Sequence, residues 1–334
     1  FRNEIIEVST FRASKDPLAH DVNGTIQADN TFGSLEEDAW RRDFTVNALY
    51  YNIEDFSIVD YTGGFSDLKR KILRVIGDPL ERSREDPVRL LRALRFSAKL
   101  GFKLEASLNS AVQTQGDLIS QVPPARLLHE FEKLFCSGYA CSVFKKLKQY
   151  GYLQYFFSGE VVDSLNSDAG NAVVLSSLEA ADLRYRKKEP LNMGFVLAVF
   201  LWPAIESRVI SADSSSRRFY QVLHASISAV VRNQLNVLVM PKRLLSMMKS
   251  MWLLQYNFER RRPKRIKSIL SHRYFRASFD LLKLRAGYDS RLKQVAKWWE
   301  TIQFASEKQT ERMIDELLKK PVSQSGRGKK KSYE

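Results

Sequence analysis

Arg84-Glu85-Asp86-Pro87-Val88-Arg89-Leu90-Leu91-Arg92-Ala93-Leu94-Arg95-Phe96 is the stretch on which the reading of this chain turns. Asp followed by Pro predicts a helix start, because the carboxylate caps free N–H groups and the proline ring suits the first turn. Leu90, Leu91, Leu94 and Ala98 then recur at helical spacing and predict a buried face, with Arg89, Arg92, Arg95 and Lys99 along the other side. Asp86 and Arg89, three apart, stand one turn from each other, one accepting and one donating in nearly the same plane. That arrangement suits a base edge, and equally a local cap above a solvated basic face.

Upstream stands Arg41-Arg42-Asp43-Phe44-Thr45-Val46-Asn47-Ala48-Leu49. Asp43 predicts the cap of a short helix running from Phe44 to Tyr51, with Asn47 near its start. Arg41 and Arg42 would then flank the positive end of that helix, where an anion is favoured. Guanidinium forks beside carboxylates are the chemistry that holds a nucleoside triphosphate. A charged loop before an ordinary helix fits the same residues.

Around these blocks, strands are predicted near 4–12, 56–60 and 72–76, with Thr62-Gly63-Gly64 as a turn between the last two. Residues 13–33 read as a loop. From Asp78 the pattern is helical, with breaks near Gly101, Pro123-Pro124, Gly151, 166–170, Pro190, 211–216, Pro241 and Pro263. No period repeats, which argues against a solenoid. At 334 residues the chain exceeds one compact core. Residues 1–80 hold nine Lys or Arg against fourteen Asp or Glu, a net −5, so the remainder must carry +20 to reach the total of +15. An acidic head and a basic clamp for a polyanion follow from that division.

The longest apolar run, Met193 to Ile205, contains Pro203 and falls short of the ~20 residues that span a bilayer, so a buried helix and no membrane partner are expected. Cys136 and Cys141 read as reduced thiols of a cytoplasmic protein. The four histidines form no cluster, and none is assigned to catalysis. Arg260, Arg261, Arg262, Lys264, Arg265 and Lys267 place six cations in eight positions, and Gly326 to Lys331 is a basic tail. Either run suits an RNA backbone or a solvated surface. Trp298 and Trp299 cannot share one helix face, so at least one belongs to the core.

The two arginine blocks, together with Ile58-Val59-Asp60-Tyr61-Thr62-Gly63-Gly64-Phe65-Ser66-Asp67-Leu68 and Leu73-Arg74-Val75-Ile76-Gly77-Asp78-Pro79, resemble the head and neck of class II CCA-adding enzymes and bacterial poly(A) polymerases. Asn30 to Asp38, Val122 to Leu127, Met240 to Leu244 and Lys297 to Glu300 resemble the poly(A) polymerase branch. The resemblance covers nearly the whole chain. It implies an α+β fold class: a truncated nucleotidyltransferase-like mixed α/β head followed by an all-helical neck and body. The implied divisions are a head over 1–77, a neck over 78–140, a body over 141–305 and a basic, partly disordered tail over 306–334.

The activity implied is template-independent addition of AMP from ATP to RNA 3′ ends, with ATP and RNA as partners and oligomeric state left open. By the same resemblance Asp86 and Arg89 contact the base, Arg42, Asp43 and Asn47 the ribose or phosphates, Arg92 also belongs to the nucleotide site, and Glu7 is the catalytic and metal-binding carboxylate. The resemblance also implies two Mg2+ ions, held mostly by an Asp-x-Asp pair that these 334 residues lack. The chain alone is therefore expected to bind metal poorly and to be inactive. A tRNA CCA-adding nucleotidyltransferase and a non-catalytic RNA-binding adaptor are the alternatives.

Overall fold

The structure, a computed structural model, describes Ile6 and residues 8–13, 32–212 and 219–319. The chain divides into two units, Phe1–Phe156 and Phe157–Glu334. In the first, α1 (Leu35–Arg41) opens on a reciprocal cap in which the Ser34 hydroxyl accepts from the Glu37 N–H at 3.2 Å and the Glu37 carboxylate accepts from the Ser34 N–H at 2.6 Å. β1 (Leu49–Tyr51) and β2 (Ile58–Asp60) pair antiparallel, Tyr50 opposite Val59. The Asp60 carboxylate then accepts from the N–H groups of Thr62, Gly64 and Phe65 at 3.1, 3.0 and 2.9 Å, turning the chain into α2 (Gly64–Arg70).

After β3 (Ile72–Leu73) come α3 (Pro79–Glu85), α4 (Val88–Leu100) and β4 (Lys103–Leu104). The Asp78 carboxylate caps α3 on the N–H groups of Leu80 and Glu81, each at 2.9 Å. Gly101 ends α4 at φ 68°, a left-handed turn that admits glycine without strain. β3 and β4 lie parallel. Three more helices, α5 (Ala106–Thr114), α6 (Pro124–Phe135) and α7 (Ala140–Gln149), complete this unit. Leu90, Leu91 and Leu94 are fully buried, as their spacing predicts.

Four expectations need correction. The block after Asp43 forms a single 3-10 turn, Thr45–Asn47, and then strand β1, not a helix to Tyr51. Tertiary bonds stop the helix: the Thr45 N–H donates to the Arg74 carbonyl at 3.0 Å, and its hydroxyl to the buried Asp67 carboxylate at 2.8 Å. Between the second and third predicted strands the chain forms α2 rather than only a turn. The third strand is shorter than predicted, ending at Leu73, with Val75 bridged singly to Phe44. Of the strand predicted over 4–12, only Arg12 is bridged, to Phe32, among the described residues. Glu7, most of the loop over 13–33 and the basic tail at 326–331 lie outside those residues.

The second unit is wholly helical among its described residues: α8 (Gly159–Asn166), α9 (Asp168–Arg186), α10 (Met193–Ser211), α11 (Phe219–Leu235), α12 (Lys242–Arg260), α13 (Ile266–Leu270), α14 (Phe275–Tyr288), α15 (Lys293–Ile302) and α16 (Glu307–Lys319). α10 continues through Pro203 to 19 residues, long and apolar enough by length and composition to cross a membrane. Its most apolar window is nevertheless 67% buried inside the protein, and Trp252 Nε1 donates to its Ala198 carbonyl at 3.0 Å. α10 is thus the central core helix of this unit.

Trp299 is completely buried between Phe258 and Phe275, its indole N–H on the Phe258 carbonyl at 3.0 Å, while Trp298 is half-buried beside it. A buried guanidinium ties three helices. Arg285 on α14 donates to Glu206 on α10 at 3.1 and 3.2 Å and to Gln255 on α12 at 3.2 Å, and pairs with Glu259 at 2.8 Å.

Candidate nucleotide site

The fold brings the two arginine blocks together within the first unit. Arg92 on α4 reaches Asp43, 49 positions back, with Nε on Oδ2 at 2.6 Å and Nη2 on the same oxygen. The other Asp43 oxygen accepts from the Phe44 N–H at 2.9 Å and the Asn47 amide at 3.1 Å. Arg82 on α3 closes the junction from the other side, one Nη donating to the carbonyls of Arg41 and Arg42 at 3.0 and 2.9 Å. Its second Nη meets Glu85 Oε2 at 2.7 Å, and Arg89 meets that same oxygen at 2.9 Å while also donating to the Arg82 carbonyl at 2.6 Å. Asp86 accepts from the Val88 N–H at 3.2 Å, consistent with its capping role, and from Arg126 on α6 at 2.7 Å.

Asp86 and Arg89 are therefore held one turn apart, each fixed by a third group rather than by the other. Arg42 turns to Asp38, one helical turn back, at 2.9 and 3.1 Å, donates to the Asn47 carbonyl at 3.1 Å, and lies 5.0 Å over the Tyr50 ring. Tyr50 donates to the same Asp38 carboxylate at 2.7 Å. Burial and that bond push the Tyr50 hydroxyl up to about 12. Burial works to raise the Asp38 carboxyl, but the Tyr50 hydroxyl and the Arg42 guanidinium outweigh it and hold the group below the usual carboxylate range.

Along the basic side of α4, Arg89, Arg92 and Arg95 are half-buried, and only Lys99 at the end of the helix is solvated. Arg92 and Arg95 lie 5.5 and 5.0 Å from the Phe96 ring. Desolvation lowers the pKa of Arg95, and among the described residues it has no ion pair within 4 Å. Such a guanidinium has donors to offer an incoming anion. The bonds within the array leave the forks of Arg82, Arg89 and Arg92 little rotamer freedom.

Arg82, Glu85, Arg126, Asp38 and Tyr50 were not singled out by their sequence pattern. Asp38 to Arg42 and Glu85 to Arg89 are four apart, the spacing of helical ion pairs, and that signal was present. Arg126 had no such signal, because its partner is 40 positions away. Among the described residues no group of three His, Cys, Asp or Glu could hold a metal ion, and Asp43, Glu85 and Asp86 are all engaged by guanidinium groups. The described residues therefore do not fit a two-ion site.

The basic run lies in the second unit, at the turn from α12 to α13. Arg261 ends α12 in a left-handed conformation, φ 43°, and lies 5.8 Å from the Trp298 ring. Arg260 and Arg262 flank Tyr256 at 5.4 and 5.7 Å, and Arg262 donates to its hydroxyl at 3.0 Å. Lys264 and Arg265 are exposed, as is Lys267, which stands 3.8 Å from Glu311.

Three family profiles match this chain: "Poly A polymerase head domain" over residues 1–74, "Probable RNA and SrmB- binding site of polymerase A" over 101–161, and "Polymerase A arginine-rich C-terminus" over 215–333. Poly(A) polymerase I of Salmonella typhi is 35% identical over 341 residues, covering 98% of this chain and 73% of the relative. The chain belongs to the poly(A) polymerase family. A CCA-adding enzyme of Pediococcus pentosaceus is 46% identical over 101 residues, 30% of this poly(A) polymerase family chain and 25% of the relative. Among solved structures, a "tRNA-processing enzyme (apo form 2)" superposes with TM-score 0.53 at 25% identity, covering 86% of this chain and 77% of that one. The mixed head and helical remainder are thus the architecture of the wider nucleotidyltransferase superfamily.

Proposed function

We propose that this chain is a polynucleotide adenylyltransferase that extends RNA 3′ ends with AMP and needs no template. In that reaction the RNA 3′-hydroxyl oxygen bonds the α-phosphorus of ATP, the bond to the β-phosphate oxygen breaks, and pyrophosphate leaves. Without a template strand, base choice must come from protein groups. The observation that carries the reading is the closure of Asp43 on Arg92, which sets the Asp86 to Arg89 turn beside the arginines of the upstream block.

In this reading Asp86 accepts from the adenine edge and Arg89 donates to it, with Arg126 and Glu85 fixing their directions. Asn47 and Asp43 face the ribose, and Arg42, Arg92 and Arg95 the phosphates. Glu7, to which the resemblance assigns magnesium, lies outside the described residues. The basic run from Arg260 to Lys267 holds the RNA backbone, and the setting we assign is cytoplasmic.

Arg89→Ala in the protein expressed from its gene should weaken the preference for ATP over CTP by about 1 to 3 kcal/mol, the scale of a lost bidentate base contact. Primer extension with both nucleotides in competition reads this directly. An unchanged preference overturns the base-reading role. Incorporation of CTP before ATP with a halt after three additions would instead identify CCA addition.

A further inference from the structure

The second unit contains a cleft that the nucleotide site does not use. It has a volume of about 890 Å³ and is walled by the end of α9, the start of α10 and the first turns of α14. Its floor is apolar, with Phe195, Val196, Met247 and Leu284, and Tyr274 stands at one side. Its rim is cationic. Arg184, Lys187, Arg273, Arg276 and Lys283 face Glu189 and Asp280, leaving a net charge of +3 from five cations and two acids.

The acids are already neutralised. Arg184 pairs with Glu189 at 3.3 Å, and Asp280 is shared by Lys283 at 3.1 Å and Arg276 at 3.6 Å. Lys187 and Arg273 have no acidic partner within 4 Å among the described residues, and both are exposed. The loop that carries Lys187 is fastened at both ends. Arg184 donates twice to the Pro190 carbonyl at 3.3 Å, and the Asn192 side chain caps α10 on the Gly194 N–H at 2.8 Å. Arg273 lies 4.4 Å from the Tyr274 ring, which sets a guanidinium plane against an aromatic at the mouth.

An apolar floor with an aromatic wall accepts a base face, and unpaired cations at the rim accept the phosphates on either side of it. That is the chemistry of sequence-tolerant single-strand binding, and the volume lies in the range of sites that enclose a nucleotide-sized ligand. We propose that this cleft is a second RNA subsite that seats one unpaired nucleotide of the substrate strand, its base on Phe195 and Tyr274 and its phosphates on Lys187 and Arg273. The assignment rests on the RNA-tailing reading and adds to it a place where the strand is gripped away from the Arg260 to Lys267 run.

The test titrates labelled oligoadenylate against the full protein, against Lys187→Glu/Arg273→Glu, and against the charge-keeping Lys187→Arg/Arg273→Lys. Charge reversal should weaken RNA binding at least about tenfold and flatten the log affinity against log salt slope by about 1.4, two single-strand phosphate contacts at 0.7 each. The charge-keeping pair should bind nearly as the parent does. An oligomer carrying 4-thiouridine should photocrosslink to the peptide that contains Tyr274.

Parent affinity and slope in the reversed variant, with its melting temperature intact, overturn the subsite and leave RNA tailing standing. Failure of the parent to bind RNA at all overturns the tailing reading itself. Displacement by free AMP as tightly as by the oligomer identifies a mononucleotide site and also overturns the proposal, as does a crosslink confined to other peptides.

Discussion

The contact between Asp43 and Arg92 is the most direct test of how the two arginine blocks are joined. Charge centres about 4 Å apart attract by about 4 kcal/mol at an effective dielectric near 20. Arg92 keeps 31% of its side-chain exposure and Asp43 12%, so solvent screens part of that attraction and burial of the acid costs another part. The net coupling expected is about 1 to 2 kcal/mol, above an exposed pair and below a fully buried one. A double-mutant cycle of Asp43→Asn and Arg92→Met isolates it. The assay is hydrogen exchange read on peptides covering the Thr45–Asn47 turn and the first two turns of α4, since loss of the pair should open both segments together. Each single variant should lower protection in both peptides, and the double variant should lose little more than either single. Coupling below about 0.3 kcal/mol, or loss of protection in one peptide only, would refute the argument that this bond joins the blocks.

Asp60 gives a pH dependence with a definite sign. Partial burial works against its ionised form, yet the N–H groups of Phe65, Gly64 and Thr62 outweigh that and hold its carboxyl below the usual carboxylate range. Its contribution is complete above the unfolded-state pKa of about 3.9 and is lost as pH falls through the depressed one, so Asp60→Asn should flatten the acid limb of the stability curve below about pH 4. In the second unit, Trp299→Ala removes a fully buried ring and its bond to the Phe258 carbonyl, and should cost about 3 to 5 kcal/mol in urea unfolding followed by circular dichroism. A cost below about 1 kcal/mol would mean that α12, α14 and α15 are not packed on that ring.

Local signals made the helical part legible. Asp78 with Pro79, Gly101, Pro123 with Pro124, Gly151 and Pro241 each mark an element end through backbone chemistry that is independent of distant partners. The paired tryptophans divided as their spacing requires, Trp299 entering the core. The turn at Thr45 was not legible, because its stop depends on Arg74 and Asp67, which sequence spacing does not bring near. At the candidate site the residue types were visible, yet their protein partners were not: the fold gives Asp86 to Arg126 and Arg89 to Glu85. Pro203 offered the opposite lesson, since a residue that ordinarily breaks a helix is carried through the middle of α10.

The knot at Arg285 sets the register of three helices in the second unit. Its three nitrogens meet acceptors rooted on α10 and α12, Gln255 passes the chain of bonds back to the Ser278 carbonyl on α14, and the ring of Trp202 closes one face at 4.4 Å. A hydrocarbon of equal bulk could occupy the space, but it would leave Glu206 and Glu259 as neighbouring anions with no cation between them. Apolar packing sets how closely these three helices approach, and the directional bonds of Arg285 add a fixed axial register. The axial phase of α10, α12 and α14 against one another is pinned at one buried arginine.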